Sequence, residues 1–249
     1  MTIHPQLQQA FDQHRVLKVI SGLNNFDANR VAAVVKAADR GGATFVDIAA
    51  HPDLVALAKE LTNLPICVSS VEPMEFVTAV NAGADLIEIG NFDCFYTQGK
   101  RFEAEEVLAL TQEVRSLLPH ITLSVTVPHI LTLDRQVALA EELVAAGADI
   151  IQTEGGTSSN PRAAGTLGLI EKAAPTLAAA REISRAVSVP VLCASGISDV
   201  TAPMAIAAGA AGVGVGSAIN QLNDEVAMVA AVRSLVEALA TVNMAKVPV

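Results

Sequence analysis

A chain of 249 residues is the length of one eight-fold barrel of alternating strands and helices, and it suffices for a large core. Apolar residues make up 51% and aromatic residues 3%, so alanine, valine, leucine and isoleucine do the packing, as in parallel strands covered by helices. The net charge of −10 argues against a nucleic-acid partner, which needs a basic surface, and no apolar run is long enough to span a bilayer.

The periodicity predicts a single domain over residues 1–249, a closed parallel barrel of the TIM type. An amphipathic lead-in over 5–14 precedes a first strand at 16–20. Asp27 is placed to cap a helix over 28–40, which Gly41 and Gly42 close. Further strands are predicted at 43–49, 65–70, 84–90, 121–127 and 148–153. Their helices fall at 52–61, from 73, at 103–118 and at 133–146. A long glycine-rich connection over 155–168 leads to a helix expected at 175–187, with Pro175 in its first turn. The last two strands lie at 189–194 and 212–215, separated by a short helix within 199–208, and a final helix covers 224–240.

An internal repeat runs through this pattern. The segments 42–47 (GATFVD), 83–88 (GADLIE), 147–152 (GADIIQ) and 209–214 (GAAGVG) align without gaps and precede or form every second strand. They put Asp47, Glu88, Gln152 and Gly214 at equivalent positions. The outer face of a barrel strand meets apolar helices, so a mid-strand charge is expected to face the lumen. Lys18, in the middle of the first strand, turns inward by the same rule and needs a carboxylate partner, with Asp47 and Glu88 available. Two readings stay open for Lys18. One is a base or Schiff-base nucleophile with a lowered pKa. The other, favoured by its early place in the strand, is a structural ion pair.

Catalysis is expected on the face formed by the loops after the strands. Asn24 and Asn25 follow the first strand and His51 the second. Ser70 and Glu72 follow the third, Asn91, Asp93 and Cys94 the fourth, Thr126 and His129 the fifth, Thr153 and Glu154 the sixth. Glu154 is the strongest carboxylate candidate, because it shares a side of its strand with Gln152 at the C-terminal end. Catalytic candidates are thus Lys18, Asp47, Glu88 and Glu154, with Asn24, Gln152, Thr153 and His129 as substrate contacts. The loop histidines also read as capping groups, and Cys94 as a bland thiol. Residues 155–168 are expected to form a lid, and 91–101, with Tyr96, the opposite wall. Lys100 and Arg101 there are placed to meet an anion. The histidines and carboxylates show no metal-ligand spacing, so no metal is expected. Three cysteines form neither a metal pattern nor a full disulfide set. With a polar start lacking a signal-peptide core, they point to the cytoplasm.

The most specific signal lies near the end of the chain. Ser195, Gly196 and Ile197 follow the seventh strand, and Gly214, Gly216 and Ser217 end the eighth. Glycine-ended strands followed by helix starts expose backbone N–H groups to an anion, and in barrels this pair of loops cradles phosphate.

This tail resembles that of the phosphate-binding barrel superfamily, which includes thiazole synthase, isomerases of tryptophan and histidine biosynthesis, and flavin-dependent oxidoreductases. Over nearly the whole length the resemblance is to a narrower family. The runs at 18–26 (KVISGLNNF), 45–50 (FVDIAA), 88–93 (EIGNFD) and 152–157 (QTEGGT) resemble a hypothetical chloroplast reading frame of cyanobacteria and algal plastids, a domain of unknown function. That resemblance implies a barrel and, in algal relatives, the plastid stroma; it brings no reaction. Three function classes follow. The first is a lyase, isomerase or synthase acting on a small phosphorylated metabolite without a cofactor. The second is an oxidoreductase with flavin mononucleotide (FMN) in the cradle; residues 152–156 loosely resemble nitronate-oxidising flavin barrels, although their N-terminal motif is missing. The third is a metabolite-sensing barrel with no activity. Alanine-rich helix faces suit a homo-oligomer as well as packing within the barrel.

Overall fold

The computed structural model describes residues 3–96, 98–155 and 160–242. Eight parallel strands close into a barrel in chain order: β1 (Val16–Ile20), β2 (Phe45–Ala49), β3 (Ile66–Ser70), β4 (Leu86–Ile89), β5 (Thr122–Thr126), β6 (Ile150–Gln152), β7 (Val191–Ala194) and β8 (Gly212–Val215). β1 pairs with β2 on one side and with β8 on the other, which completes the ring. The helices in order are α1 (Pro5–Asp12), α2 (Ala28–Gly41), α3 (Pro52–Leu61), α4 (Pro73–Asn81), α5 (Asp93–Tyr96) and α6 (Ala104–Leu117). They continue with α7 (Leu133–Ala145), α8 (Gly165–Ala186), α9 (Ala202–Ala207), α10 (Ser217–Asn220) and α11 (Glu225–Ala240). None of the described helices is long and apolar enough to cross a membrane.

Every strand residue is buried, because one face meets helices and the other fills the lumen. Alternation sorts them. Leu17, Val19, Val46, Ile48, Val68, Ile87, Leu123, Val125 and Val213 face the helices in the large outer core. Val16, Phe45, Cys67, Leu86, Ile150 and Leu192 form the bottom of the lumen, and Leu7 and Phe11 of α1 plug it from below. The lead-in segment is therefore a stopper that separates the lumen floor from water.

The local signals work as their chemistry dictates. Asp27 accepts from the backbone N–H groups of Asn29 and Arg30 and so starts α2. The glycines that open the four repeats, Gly42, Gly83, Gly147 and Gly209, all have φ between 86° and 109°. The repeat thus encodes a left-handed turn that ends one helix and launches the next even-numbered strand.

Two stretches depart from the sequence reading. The helix expected from Pro175 begins ten residues earlier, at Gly165, and carries Pro175 in its interior. Proline is favoured in a first turn, which misplaced the start; here the helix formers between Thr166 and Ala173 carry the turn across it. Residues 165–168 of the expected lid are therefore helical, and 156–159 lie outside the described residues. The expected loop at 91–101 contains α5, a single turn.

Candidate active site

The lumen above the apolar plug is polar. Lys18 Nζ lies 2.6 Å from Glu88 Oε2 and 3.7 Å from Asp47 Oδ2, and it donates to Gln152 Oε1 at 3.1 Å. Ser69 donates to Asp47, Ser124 to Glu88, and the Gln152 amide to both Glu88 and Thr126. Burial works against the Lys18 charge, but the two carboxylates outweigh it and hold its pKa above the ordinary lysine range. Burial pushes Asp47 up, against the pull of Lys18. The lowered pKa expected of a lysine base is therefore reversed. Lys18 is fully buried, is paired with both carboxylates and does not line the cavity. Gly214, the fourth repeat position, leaves room for this network: a Cβ there would come within 2.9 Å of Ala194 Cβ and 3.3 Å of Gln152 Oε1.

Above this floor a cavity of about 400 Å³ opens on the loop face. One side is the predicted cradle: Ser195, Gly196, Ile197, Gly214, Gly216 and Ser217 all line it. Ser195 and Gly196 both have positive φ, 79° and 75°, which turns the backbone after β7 sharply. The turn is braced from behind, since a Cβ on Gly196 would lie 2.7 Å from the Lys172 carbonyl oxygen. Lys172 itself, on α8, lines the same cavity. The hydroxyl of Thr153 accepts from Ala194 N–H and bonds Thr176, so this residue fixes β7 against β6 and α8.

The opposite side is a dense polar cluster from the loops after β4, β5 and β6. His129 Nδ1 lies 3.0 Å from Glu154 Oε2 and 3.1 Å from Asp93 Oδ1. Glu154 also accepts from Tyr96 Oη at 2.9 Å and from the backbone N–H of Asp93 at 2.8 Å. Ser195 Oγ donates to Asp93 Oδ2 at 3.3 Å and links this wall to the cradle. Burial disfavours the His129 charge, yet its hydrogen bonds with Asp93 and Glu154 win and raise its pKa to about 9. Burial raises Glu154 against the pull of His129 and Tyr96. Cys94, beside this wall, is pushed up to about 11, first by burial and then by the nearby carboxylates, which suits an unreactive thiol.

The family model described as "Protein of unknown function (DUF561)" matches residues 3–245. The chain belongs to this family. Among its relatives, the uncharacterized protein ycf23 of Porphyra purpurea is 41% identical over 229 residues, covering 92% of this chain and 86% of that protein. The uncharacterized protein ycf23 of Cyanophora paradoxa is 45% identical over 218 residues, covering 87% of this chain and 89% of that one. The resemblance to the chloroplast reading frame is thus borne out. Among solved structures, (S)-3-O-geranylgeranylglyceryl phosphate synthase from Thermoplasma acidophilum, in complex with sn-glycerol-1-phosphate, superimposes with a TM-score of 0.63 at 15% identity. The match covers 97% of this chain and all of that one. At that identity the likeness is one of fold, and it bears out the TIM barrel.

Within this family member, the structure sorts the sequence candidates. Glu154, Gln152, Thr153 and the cradle residues share one cavity, whereas Lys18, Asp47 and Glu88 form the sealed network beneath it. Asn24 lies in an adjoining depression with Asn25 and Asn91. His129 stands behind the wall rather than in the lining, where it holds Asp93 and Glu154. His51 caps α3, accepting from Asp53 N–H. Lys100 rests over the rings of Phe95 and Phe102, and neither it nor Arg101 lines the cavity. Sequence reasoning missed Lys172 as the cavity's cation because it assigned that residue to the loop before Pro175. It also missed the meeting of Asp93, His129 and Glu154. These positions show no ligand spacing along the chain, but barrel closure brings their ligand atoms within 4.8 Å of one another.

Proposed function

We propose that this protein is an enzyme acting on a small phosphorylated metabolite, of the lyase, isomerase or synthase class. One observation carries this: a single cavity joins a glycine-lined backbone cradle to a wall of two carboxylates, the buried Glu154 and the half-buried Asp93. In this reading the phosphate sits against the backbone at Ser195–Ile197 and Gly216–Ser217, with Lys172 supplying its counter-charge. The rest of the substrate then lies toward the wall of Asp93 and Glu154, where the proton or charge that the reaction displaces is taken up. His129 and Tyr96 hold those carboxylates in place. A carboxylate wall and an anion cradle in one cavity suit a substrate bound at one end and transformed at the other.

Titration calorimetry with inorganic phosphate and a panel of phosphorylated sugars and trioses tests the anchor. Lys172→Met is expected to weaken binding roughly tenfold to a hundredfold, the worth of one charge-assisted hydrogen bond. Unchanged affinity in the variant would sink the reading. So would a flavin absorption band in the purified protein that disappears on Gly216→Val.

A further inference from the structure

We propose that Asp93, His129 and Glu154 form a divalent-metal site on the cavity wall, a proposal that rests on the reading of a phosphorylated substrate and extends it. Three consecutive strand ends contribute one ligand atom each: Asp93 Oδ1 after β4, His129 Nδ1 after β5 and Glu154 Oε2 after β6. The imidazole nitrogen is 3.1 Å from the aspartate oxygen and 3.0 Å from the glutamate oxygen. Two ligands about 2.1 Å from a common centre and at right angles to each other stand about 3.0 Å apart, so these separations match adjacent positions around one ion. The side chains are nearly buried, 8% exposed for His129, 11% for Asp93 and 2% for Glu154, unlike a chance gathering of surface acids.

The groups around the ligands do what supporting groups do at metal centres. Tyr96 Oη donates to Glu154 Oε2, the backbone of Asp93 donates to Oε1 of the same carboxylate, and Ser195 donates to the far oxygen of Asp93. The Tyr96 ring packs edge-on against His129, 5.1 Å between centroids. The cavity supplies an independent argument for a cation. Asp93 and Glu154 face the same space as the anion cradle, while the imidazole that pairs with them, His129, stands outside the lining, so their negative ends are turned toward the ligand that the cradle and Lys172 attract. A divalent ion reverses the sign of that wall. It also presents open coordination positions to a substrate oxygen while the phosphate is held at the other end. Two carboxylates and one imidazole suit manganese, iron or zinc better than calcium, which prefers an all-oxygen shell.

The test is titration of the chelator-treated, full-length protein with Mn²⁺, with free ion followed by electron paramagnetic resonance. One Mn²⁺ per chain is expected, weakened at least tenfold by His129→Ala and by Glu154→Gln. Tyr96→Phe keeps the ring against His129 and removes only the donor to Glu154. It is expected to weaken binding several-fold and serves if a ligand variant fails to fold by circular dichroism. Lys172→Met is expected to bind Mn²⁺ as the parent does. Absence of Mn²⁺ binding, or binding indifferent to the folded His129, Glu154 and Tyr96 variants, overturns the metal site. If Mn²⁺ binds here but phosphate binding ignores Lys172→Met, the metal site stands and the anion reading fails alone.

Discussion

At the scale of single residues, Lys18 shows how a charge is placed where no water reaches it. Its ammonium meets two carboxylates and a carboxamide, each in turn hydrogen-bonded to a neighbour, so the network is satisfied throughout. Such a network specifies the lumen more than it stabilises it, because desolvation offsets most of the attraction. Removing one partner is a different matter, since it strands the other charges. Lys18→Met is expected to cost about 3–5 kcal/mol in urea unfolding, the range for breaking a buried ion pair. A loss under 1 kcal/mol would show that the carboxylates simply take up protons when the lysine leaves. The inward direction of Lys18, Asp47 and Glu88 was legible from strand alternation and the repeat. Their height was legible only in part. The early place of Lys18 in its strand pointed to the floor, but whether the two carboxylates reach the loop face or stay beneath it depends on the stagger of neighbouring strands, which alternation does not give.

Among the elements, α8 joins the two halves of the site. It presents Lys172 to the cavity, braces the Ser195–Gly196 turn with the Lys172 carbonyl, and bonds β7 through Thr176. It does so with a proline inside, which removes one helical hydrogen bond, that to the Glu171 carbonyl. Gly155, at φ 156°, lies against this residue: a Cβ there would be 3.3 Å from Pro175 Cβ. Pro175→Ala keeps that Cβ and restores the missing donor. It is expected to raise stability by about 1–2 kcal/mol, the helix gain less the entropy returned to the unfolded chain. A higher urea midpoint at constant slope is the signature; a lower midpoint would mean that the proline ring itself packs the loop after β6. This element was the least legible in the sequence, because a proline reads as a beginning and gives no sign that a helix already runs through it.

Over the whole molecule, the barrel is closed by strand pairing at its sides and by α1 at its base. Phe11 and Leu7 are buried against the lumen residues Val16, Phe45 and Leu86, so the stopper is part of the core. Phe11→Ala is expected to cost about 3–5 kcal/mol in the same unfolding assay, as for a large core aromatic. A small effect would show that the base closes without it. Closure also explains what could be read in advance and what could not. Eight apolar strands, the glycines that open the four repeats and a cradle after the last two strands are local patterns. The convergence of Asp93, His129 and Glu154 exists only once β4, β5 and β6 lie side by side, and no local pattern encodes it.

The Gln152 carboxamide has both its N–H bonds committed, to Glu88 and Thr126, while its oxygen accepts a hydrogen bond from the Lys18 ammonium. The Gln152 part of the cavity floor consequently has no N–H to offer a ligand. A hydroxyl or carbonyl resting there finds both N–H bonds of Gln152 already taken, and the Thr126 hydroxyl, which lines the same floor and accepts from Gln152, is the group left to meet it. Selectivity among ligands at this end thus rests on Thr126 and the side walls, and against Gln152 itself an alkyl or hydrogen-bearing carbon is tolerated best.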